Sequence, residues 1–254
     1  MLRMGEASPT VILDVGFAES YRDWLPLVEK ISAKTQVVAY DRAGYGHSDI
    51  GPFPRNSRRV AEELRTLLEN ANLNGPYILL GHSLGALNLQ LFAHANKGSI
   101  AGILLLDPPP LDWLLGNGFP ELYDMAQQET HALEAAAQAA KQSPNDQERA
   151  NANFFLTLAS EHQEMLLSSA QQVSAIPSFH DIPLVVIASG KPNPAFGQHA
   201  QAFQQFWNEQ CQKLTSKSSK GTYILAADSR HHIHRDHPEI ILDALEMLLG
   251  DMRK

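Results

Sequence analysis

A chain of 254 residues with 44 % apolar and 19 % charged residues excludes a disordered or fibrous protein and has material for one large domain or two modest ones. A net charge of −8 without a basic block excludes nucleic acid and anionic membrane as expected partners and leaves a small-molecule substrate. One cysteine, Cys211, excludes an internal disulfide, and the absence of a signal-peptide pattern or an apolar run near ~18 residues makes a cytoplasmic protein the expectation.

Taken in order, Thr10 to Val15 reads as a buried strand ending at Gly16-Phe17. Tyr21 to Ala33 carries Trp24, Leu25, Val28 and Ile31 at helical spacing. Gln36 to Tyr40 is the next strand, followed by the turn-rich segment Asp41 to Ser48, read as structural and tied by Asp41 and Arg42. A helix is expected from Ser57 to Asn72, with Val60, Leu64, Leu67 and Leu68 on one face. A strand from Tyr77 then enters Gly81-His82-Ser83-Leu84-Gly85 and passes into a helix, and Ile100 to Leu106 is a strand ending at Asp107. Pro183 to Ala188 and Gly221 to Ala227 are the last two strands, separated by a helix over Phe203 to Leu214 and closed by one over Pro238 to Leu249.

Strands alternating with helices predict an α/β fold, a mostly parallel sheet with helices on both faces. The stretch 111–180 has no convincing strand and predicts an inserted helical cap over the C-terminal edge of the sheet, leaving 1–110 and 181–254 as the core. Ligands in open α/β sheets bind at that edge.

The Gly-x-Ser-x-Gly turn between strand and helix is where chemistry is expected. Such a turn strains Ser83 and lifts its hydroxyl clear of the sheet, and a Cβ at Gly81 or Gly85 would collide with neighbouring backbone. A serine hydroxyl needs a base to take its proton during attack. The candidate bases cluster after the last strand, with His231 and His232 nearest its end and His234 and His237 further along. Asp107, at a strand tip and followed by Pro108-Pro109-Pro110, is the first candidate to orient the base, with Asp228 and Asp181 in reserve. The backbone N–H groups of Phe17 and Leu84 are expected to meet the charge that develops on a carbonyl oxygen. The run His232-Ile233-His234-Arg235-Asp236-His237 also matches a binuclear zinc pattern. Only seventeen residues follow His237 and none is a histidine to complete the ligand set, so neither metal nor cofactor is expected.

These landmarks together resemble the α/β-hydrolase fold superfamily, and within it bacterial, lid-bearing, esterase-like serine hydrolases. The resemblance runs over about 10–108 and 183–249. It implies a Ser–acid–His order, met by Ser83, Asp107 and His231, and the seven-residue step from His231 to Pro238 selects that histidine over His232. Three departures stand out. Val15-Gly16 replaces the usual His-Gly, the segment Ala188 to Pro194 lacks the usual carboxylate, and the chain starts almost at the family's third strand, leaving one sheet edge exposed or covered by a partner. The missing carboxylate supports Asp107, since some family members carry the acid one strand earlier.

The resemblance implies a serine hydrolase acting on a small or medium, fairly apolar ester or related acyl compound, with Trp113, Phe119, Phe154, Phe155 and Phe179 as the expected pocket. Acyl transfer, C–C bond hydrolysis and cofactor-free haloperoxidase chemistry use the same triad. A non-catalytic ligand-binding protein on this scaffold is the alternative from another class. An aspartate at the nucleophile position would have suggested dehalogenase or epoxide chemistry, against which Ser83 argues.

Overall fold

The structure, a computed structural model, describes residues 1–251; residues 252–254, the end of the expected core segment, lie outside them. Among the described residues seven strands, the first of them β1 (Leu2–Met4), form one sheet in the order β1-β3-β2-β4-β5-β6-β7. β2 (Thr10–Asp14), β3 (Val37–Ala39), β4 (Tyr77–His82), β5 (Ile100–Leu106), β6 (Leu184–Ser189) and β7 (Gly221–Ala226) run parallel. The central strands read as unbroken apolar runs because helices cover both faces, so neither face needs polar residues.

The two faces alternate along each strand. Ile12, Leu79, Ile103 and Leu105 pack under α2 (Ser57–Asn70), α3 (Leu84–Ala95) and part of the inserted segment. Val11, Leu13, Leu80 and Leu104 pack under α1 (Leu25–Ser32) and the closing helix Pro238–Asp251. Such burial contributes roughly 2 kcal/mol for each large apolar side chain.

One edge differs from expectation. Leu2–Met4 forms a short strand, β1, antiparallel to β3, so the edge beside β3 is covered by the chain's own first residues. Three residues carry too little periodicity to announce a strand. The opposite edge, β7, is half-buried, with Leu225 exposed.

Between β5 and β6 the chain is helical: α4 (Leu111–Leu114), α5 (Pro120–Gln142), α6 (Asp146–Ala150), α7 (Ala152–Glu164), a π turn over Met165–Ser169, and α8 (Ala170–Ser174). α5 and α7 pack on each other, and the π turn meets α2, where Ser169 Oγ accepts from Ser57 N–H at 2.9 Å. α9 (Ala200–Leu214) follows β6, and a short α10 (Ile233–Asp236) precedes α11 (Pro238–Asp251). Among the described residues no helix is long and apolar enough to cross a membrane.

The position of a site follows from strand order. The chain leaves β2 toward β3 on one side and returns to β4 on the other, so the crevice of the sheet opens at the C-terminal ends of β2 and β4. Gly16-Phe17 and Ser83 sit at those two ends.

Candidate active site

Ser83 stands between β4 and α3 with φ 49° and ψ −117°, a conformation that costs a non-glycine residue about 1–3 kcal/mol. Its N–H donates to Leu106 O at 3.0 Å, so pairing with β5 holds the strained residue in place. A Cβ on Gly81 would stand 2.8 Å from Ala86 Cα, and one on Gly85 would stand 2.1 Å from Asp14 O. The second approach matters most, because it lets the first turn of α3 press against the loop that follows β2.

That loop carries Phe17. Among the described residues neither the Phe17 N–H nor the Leu84 N–H donates to another group, so both stay available to an incoming oxygen. Leu84 is the first residue of α3, where the helix dipole favours negative charge.

Asp107 follows β5 with φ 45° and is buried. Its Oδ1 accepts from Ser189 N–H at 2.9 Å; its Oδ2 accepts from Ser189 Oγ at 2.9 Å and lies 2.6 Å from His231 Nδ1. A carboxylate on Nδ1 places the ring proton there and leaves Nε2 as the acceptor. Burial works to lower the His231 pKa, but the hydrogen bond and charge of Asp107, with Glu19 adding, outweigh it and raise the value. Asp181 and Asp228, the reserve acids, are exposed. Ser83 Oγ makes no hydrogen bond among the described residues, an arrangement common before substrate tightens such a site.

Two buried charge networks position these loops, and neither announces itself in sequence. Glu19 Oε2 accepts from Gly16 N–H at 2.8 Å and Trp24 Nε1 at 3.1 Å, and lies 3.1 Å from His82 Nδ1. His82 Nε2 lies 3.0 Å from His231 O, and His232 Nε2 stands 3.1 Å from Glu19 Oε1. One carboxylate thus ties together the β2 loop, the elbow and the histidine loop. Burial would raise the Glu19 pKa, but the bonds from His232, His82 and Gly16 hold it far below the usual carboxylate range. Both ring nitrogens of His82 face acceptors, which only the imidazolium can satisfy together, while burial pushes the His82 pKa down.

The second network centres on Arg42, whose side chain is 1 % exposed. It donates to Glu161 Oε1 at 3.0 Å and Oε2 at 3.1 Å, to Asp14 Oδ1 at 2.7 Å, and to the carbonyls of Val15 and Gly16 at 2.6 and 2.9 Å. Tyr45 Oη donates to Glu161 at 2.5 Å and Asn88 Nδ2 to Asp14 at 3.1 Å. Glu161 lies on α7, so this guanidinium fastens the inserted helices to the loop beside Ser83. The Asp41 carboxylate accepts from Ser20 Oγ, Tyr21 N–H and Arg22, and inside the turn the carbonyls of Asp41 and Arg42 accept from Ser48 Oγ and Tyr45 N–H. Glu161 is 119 residues from Arg42 in the chain, too far for any spacing to reveal.

The histidines of the zinc-like pattern diverge. His232 faces Glu19, His237 pairs with Glu239, Asp236 accepts from Arg230 N–H, and His234 stacks on Trp24 with centroids 3.6 Å apart. Neither His234 nitrogen has a partner among the described residues. Burial and the neighbouring His82 push its pKa down to about 3.

None of the five expected pocket aromatics lines the cavity beside His231. Phe179 is fully buried in the core, Trp113 packs on Tyr123 and Phe203, Phe119 on Phe203 and Phe206, and Phe154 on Tyr45 and Phe155. The cavity beside His231, about 380 Å³, is lined instead by Phe196, Phe203 and Trp207, from the stretch after β6. Cys211 is buried, and burial pushes its thiol pKa up, so it carries no thiolate chemistry.

The sequence model of the Alpha/beta hydrolase family matches residues 11–244. The uncharacterized protein YqjL of Bacillus subtilis is 28 % identical over 239 residues, covering 94 % of this chain and 83 % of that protein. Among solved structures, a thermophilic esterase from Thermogutta terrifontis superposes with a TM-score of 0.68 at 18 % identity, covering 100 % of this chain and 93 % of the esterase. The epoxide hydrolase CorEH gives 0.65 at 14 % identity, with 98 % and 94 % covered. At those identities the superpositions speak for the fold alone.

Proposed function

The chain belongs to the alpha/beta hydrolase family, and from that premise we propose that it is a serine hydrolase that cleaves a small or medium, fairly apolar ester through an acyl-enzyme. The observation that carries this reading is the 2.6 Å contact between Asp107 and His231 Nδ1, which leaves Nε2 free to act as base at the sheet edge where Ser83 stands. In the first step Ser83 Oγ bonds to the carbonyl carbon while His231 Nε2 takes its proton. The Phe17 and Leu84 N–H groups receive the oxyanion, a role in which one lost donor costs roughly 10²–10³ in rate. The C–O bond to the alcohol then breaks, and His231 returns the proton to the leaving oxygen. Water repeats the sequence against the acyl group and frees Ser83.

An ester fits better than an epoxide because the elbow holds a serine, whose acyl intermediate water can cleave through the same base. Arg42 and Glu19 are positioning residues in this scheme, holding the two loops that flank the elbow. The test is labelling by a fluorophosphonate, wild type beside Ser83→Ala, with a short-chain p-nitrophenyl ester assay on the same samples. Labelling and turnover lost together in the variant is the expected result. Labelling without ester turnover points to acyl transfer, another specialised reaction or ligand binding, and an unlabelled wild type overturns the triad.

A further inference from the structure

Two consecutive residues of α7, Glu161 and His162, reach three consecutive residues of the loop after β2 by three separate routes. The first runs through Arg42, whose five N–H donors meet five acceptors. Glu161 takes Nε and Nη2 side-on at 3.0 and 3.1 Å, and the rest go to Asp14 Oδ1 and the carbonyls of Val15 and Gly16. The second runs through Tyr45, whose Oη donates to Glu161 Oε2 at 2.5 Å and accepts from Ala18 N–H at 3.3 Å. The third is direct: the His162 ring packs on the Phe17 ring with centroids 5.3 Å apart. His162 is itself fixed from α5, by Thr130 Oγ1 at 2.8 Å from Nδ1 and Glu129 Oε2 at 3.4 Å from Nε2.

The Arg42 route sets the direction of one N–H. The Val15–Gly16 and Gly16–Phe17 peptides are trans, so in each the carbonyl and the N–H point opposite ways. The Gly16 carbonyl is drawn onto Arg42 Nη2 at 2.9 Å, which turns the Phe17 N–H of the same plane away from the guanidinium, where no group among the described residues accepts from it. The peptide before it is held at both ends, its carbonyl by Arg42 at 2.6 Å and its N–H by Glu19 Oε2 at 2.8 Å. This loop lies against the elbow: a Cβ on Gly16 would stand 2.7 Å from His82 Nδ1, and one on Gly85 would stand 2.7 Å from Val15 O. Side-on pairing with Glu161 is what fixes the guanidinium plane. Without Glu161, two of the five donors are orphaned in a buried site, and the guanidinium is free to turn onto Asp14 and release the Gly16 carbonyl.

We propose that Glu161 and His162 are positioning residues for the oxyanion hole, so that the Phe17 N–H is presented to the elbow only while α7 is seated on the loop after β2. The proposal rests on Ser83 and the Phe17 and Leu84 N–H groups acting as described above. The inserted helices then do more than cover the site. A displacement of α7 lowers kcat without moving Ser83, Asp107 or His231.

The experiment compares wild type with Glu161→Gln, Tyr45→Phe and Ser169→Ala. Ser169 ties the insert to Ser57 rather than to the Phe17 loop and is the control for a loosened insert. Three readouts are taken: kcat and KM for p-nitrophenyl acetate, the rate of fluorophosphonate labelling, and protection from labelling by an alkyl trifluoromethyl ketone, whose adduct with Ser83 carries an oxyanion. Glu161→Gln is expected to lower kcat and the labelling rate about 30-fold, part of the roughly 10²–10³ that a lost donor costs, with KM within about twofold. Ketone affinity should fall by the same factor. Tyr45→Phe removes a single hydroxyl and decides the matter if Glu161→Gln does not fold; about threefold is expected in the same readouts, the size of one weak hydrogen bond. Ser169→Ala is expected to lower the urea midpoint and leave all three readouts at wild-type values. Wild-type kcat and ketone affinity in the Glu161 and Tyr45 variants, a rise in KM alone, or an equal loss of kcat in Ser169→Ala overturns the proposal. If wild type is labelled without turning over the ester, the labelling rates and ketone protection decide in the same way. An unlabelled wild type overturns the serine reading, and the proposal falls with it.

Discussion

Replacing Arg42 by Met tests whether one guanidinium holds the inserted helices to the loop beside Ser83. The substitution keeps much of the side-chain length and removes all five of the contacts to Glu161, Asp14, Val15 and Gly16. Two buried carboxylates then face each other, each left with one neutral donor, Tyr45 for Glu161 and Asn88 for Asp14. Breaking a buried ion pair by removing one partner costs about 3–5 kcal/mol, against a total stability of roughly 5–15 kcal/mol. With a urea slope of about 2.5 kcal/mol/M, the midpoint should drop by about 1.5 M, read from the fluorescence of the three tryptophans. The origin of the loss is open to a separate check. Adding Glu161→Gln should cost less in the Arg42→Met background than in wild type, because it removes a charge that Arg42 no longer balances. A midpoint within about 0.3 M of wild type, about one fifth of the expected shift, or an equal cost of Glu161→Gln in both backgrounds, would refute the clamp.

Asp107→Asn should lower kcat by about 10⁴ and move the rising limb of the kcat/KM profile to lower pH, since Asp107 is what raises the His231 pKa; stopped-flow ester hydrolysis from pH 5 to 9 reads both. His234→Phe should keep the stack on Trp24 and match or exceed wild-type stability at pH 7, because neither His234 nitrogen is satisfied. The folded pKa of His234, about 3, lies below the ordinary histidine value. Its neutral form therefore contributes stability above pH ~6.5 that is lost as pH falls toward 3, and the variant should retain on the order of 2 kcal/mol more at pH 4.5, seen in urea midpoints at the two pH values. Gly85→Ala places a methyl 2.1 Å from Asp14 O, so α3 must shift away from the β2 loop. Fluorophosphonate labelling should fall at least ~10-fold with the thermal midpoint down by several degrees, and normal labelling would deny the close approach.

The parallel sheet is legible because buried strands are short apolar runs separated by helical periods, and Ile103 to Leu106 or Val185 to Ile187 can be little else. Ser83 is legible from a turn whose glycines have steric jobs, and His231 from its step to Pro238. Asp107 emerges from a negative feature, the lack of an acid after β6. What escapes is whatever depends on distant segments meeting. Arg42 reads as part of a turn until α7 brings Glu161 to it, and Glu19 belongs to no motif and gains its role only where His82 and His232 close over it. Leu2–Met4 gains strand identity only from β3, to which it pairs. The wall of the cavity comes from Phe196 to Trp207, since helices over 111–174 spend their own aromatics on packing.

The acid's position on β5 has a further consequence for assembly of the site. β4 and β5 are ladder neighbours, with His82 opposite Leu106, so Ser83 and Asp107 come into register when two strands ~4.8 Å apart zip together. Only twenty-four residues separate them, a short loop to close, and the strained Ser83 is anchored by the same pairing through Leu106 O. Ser83 and Asp107 are thereby placed by one strand pairing, whereas His231 comes from the loop after β7. Truncation or unzipping of β7 should then strand a preformed half-site, and insertions in the 190–199 loop should leave the pairing that builds it untouched.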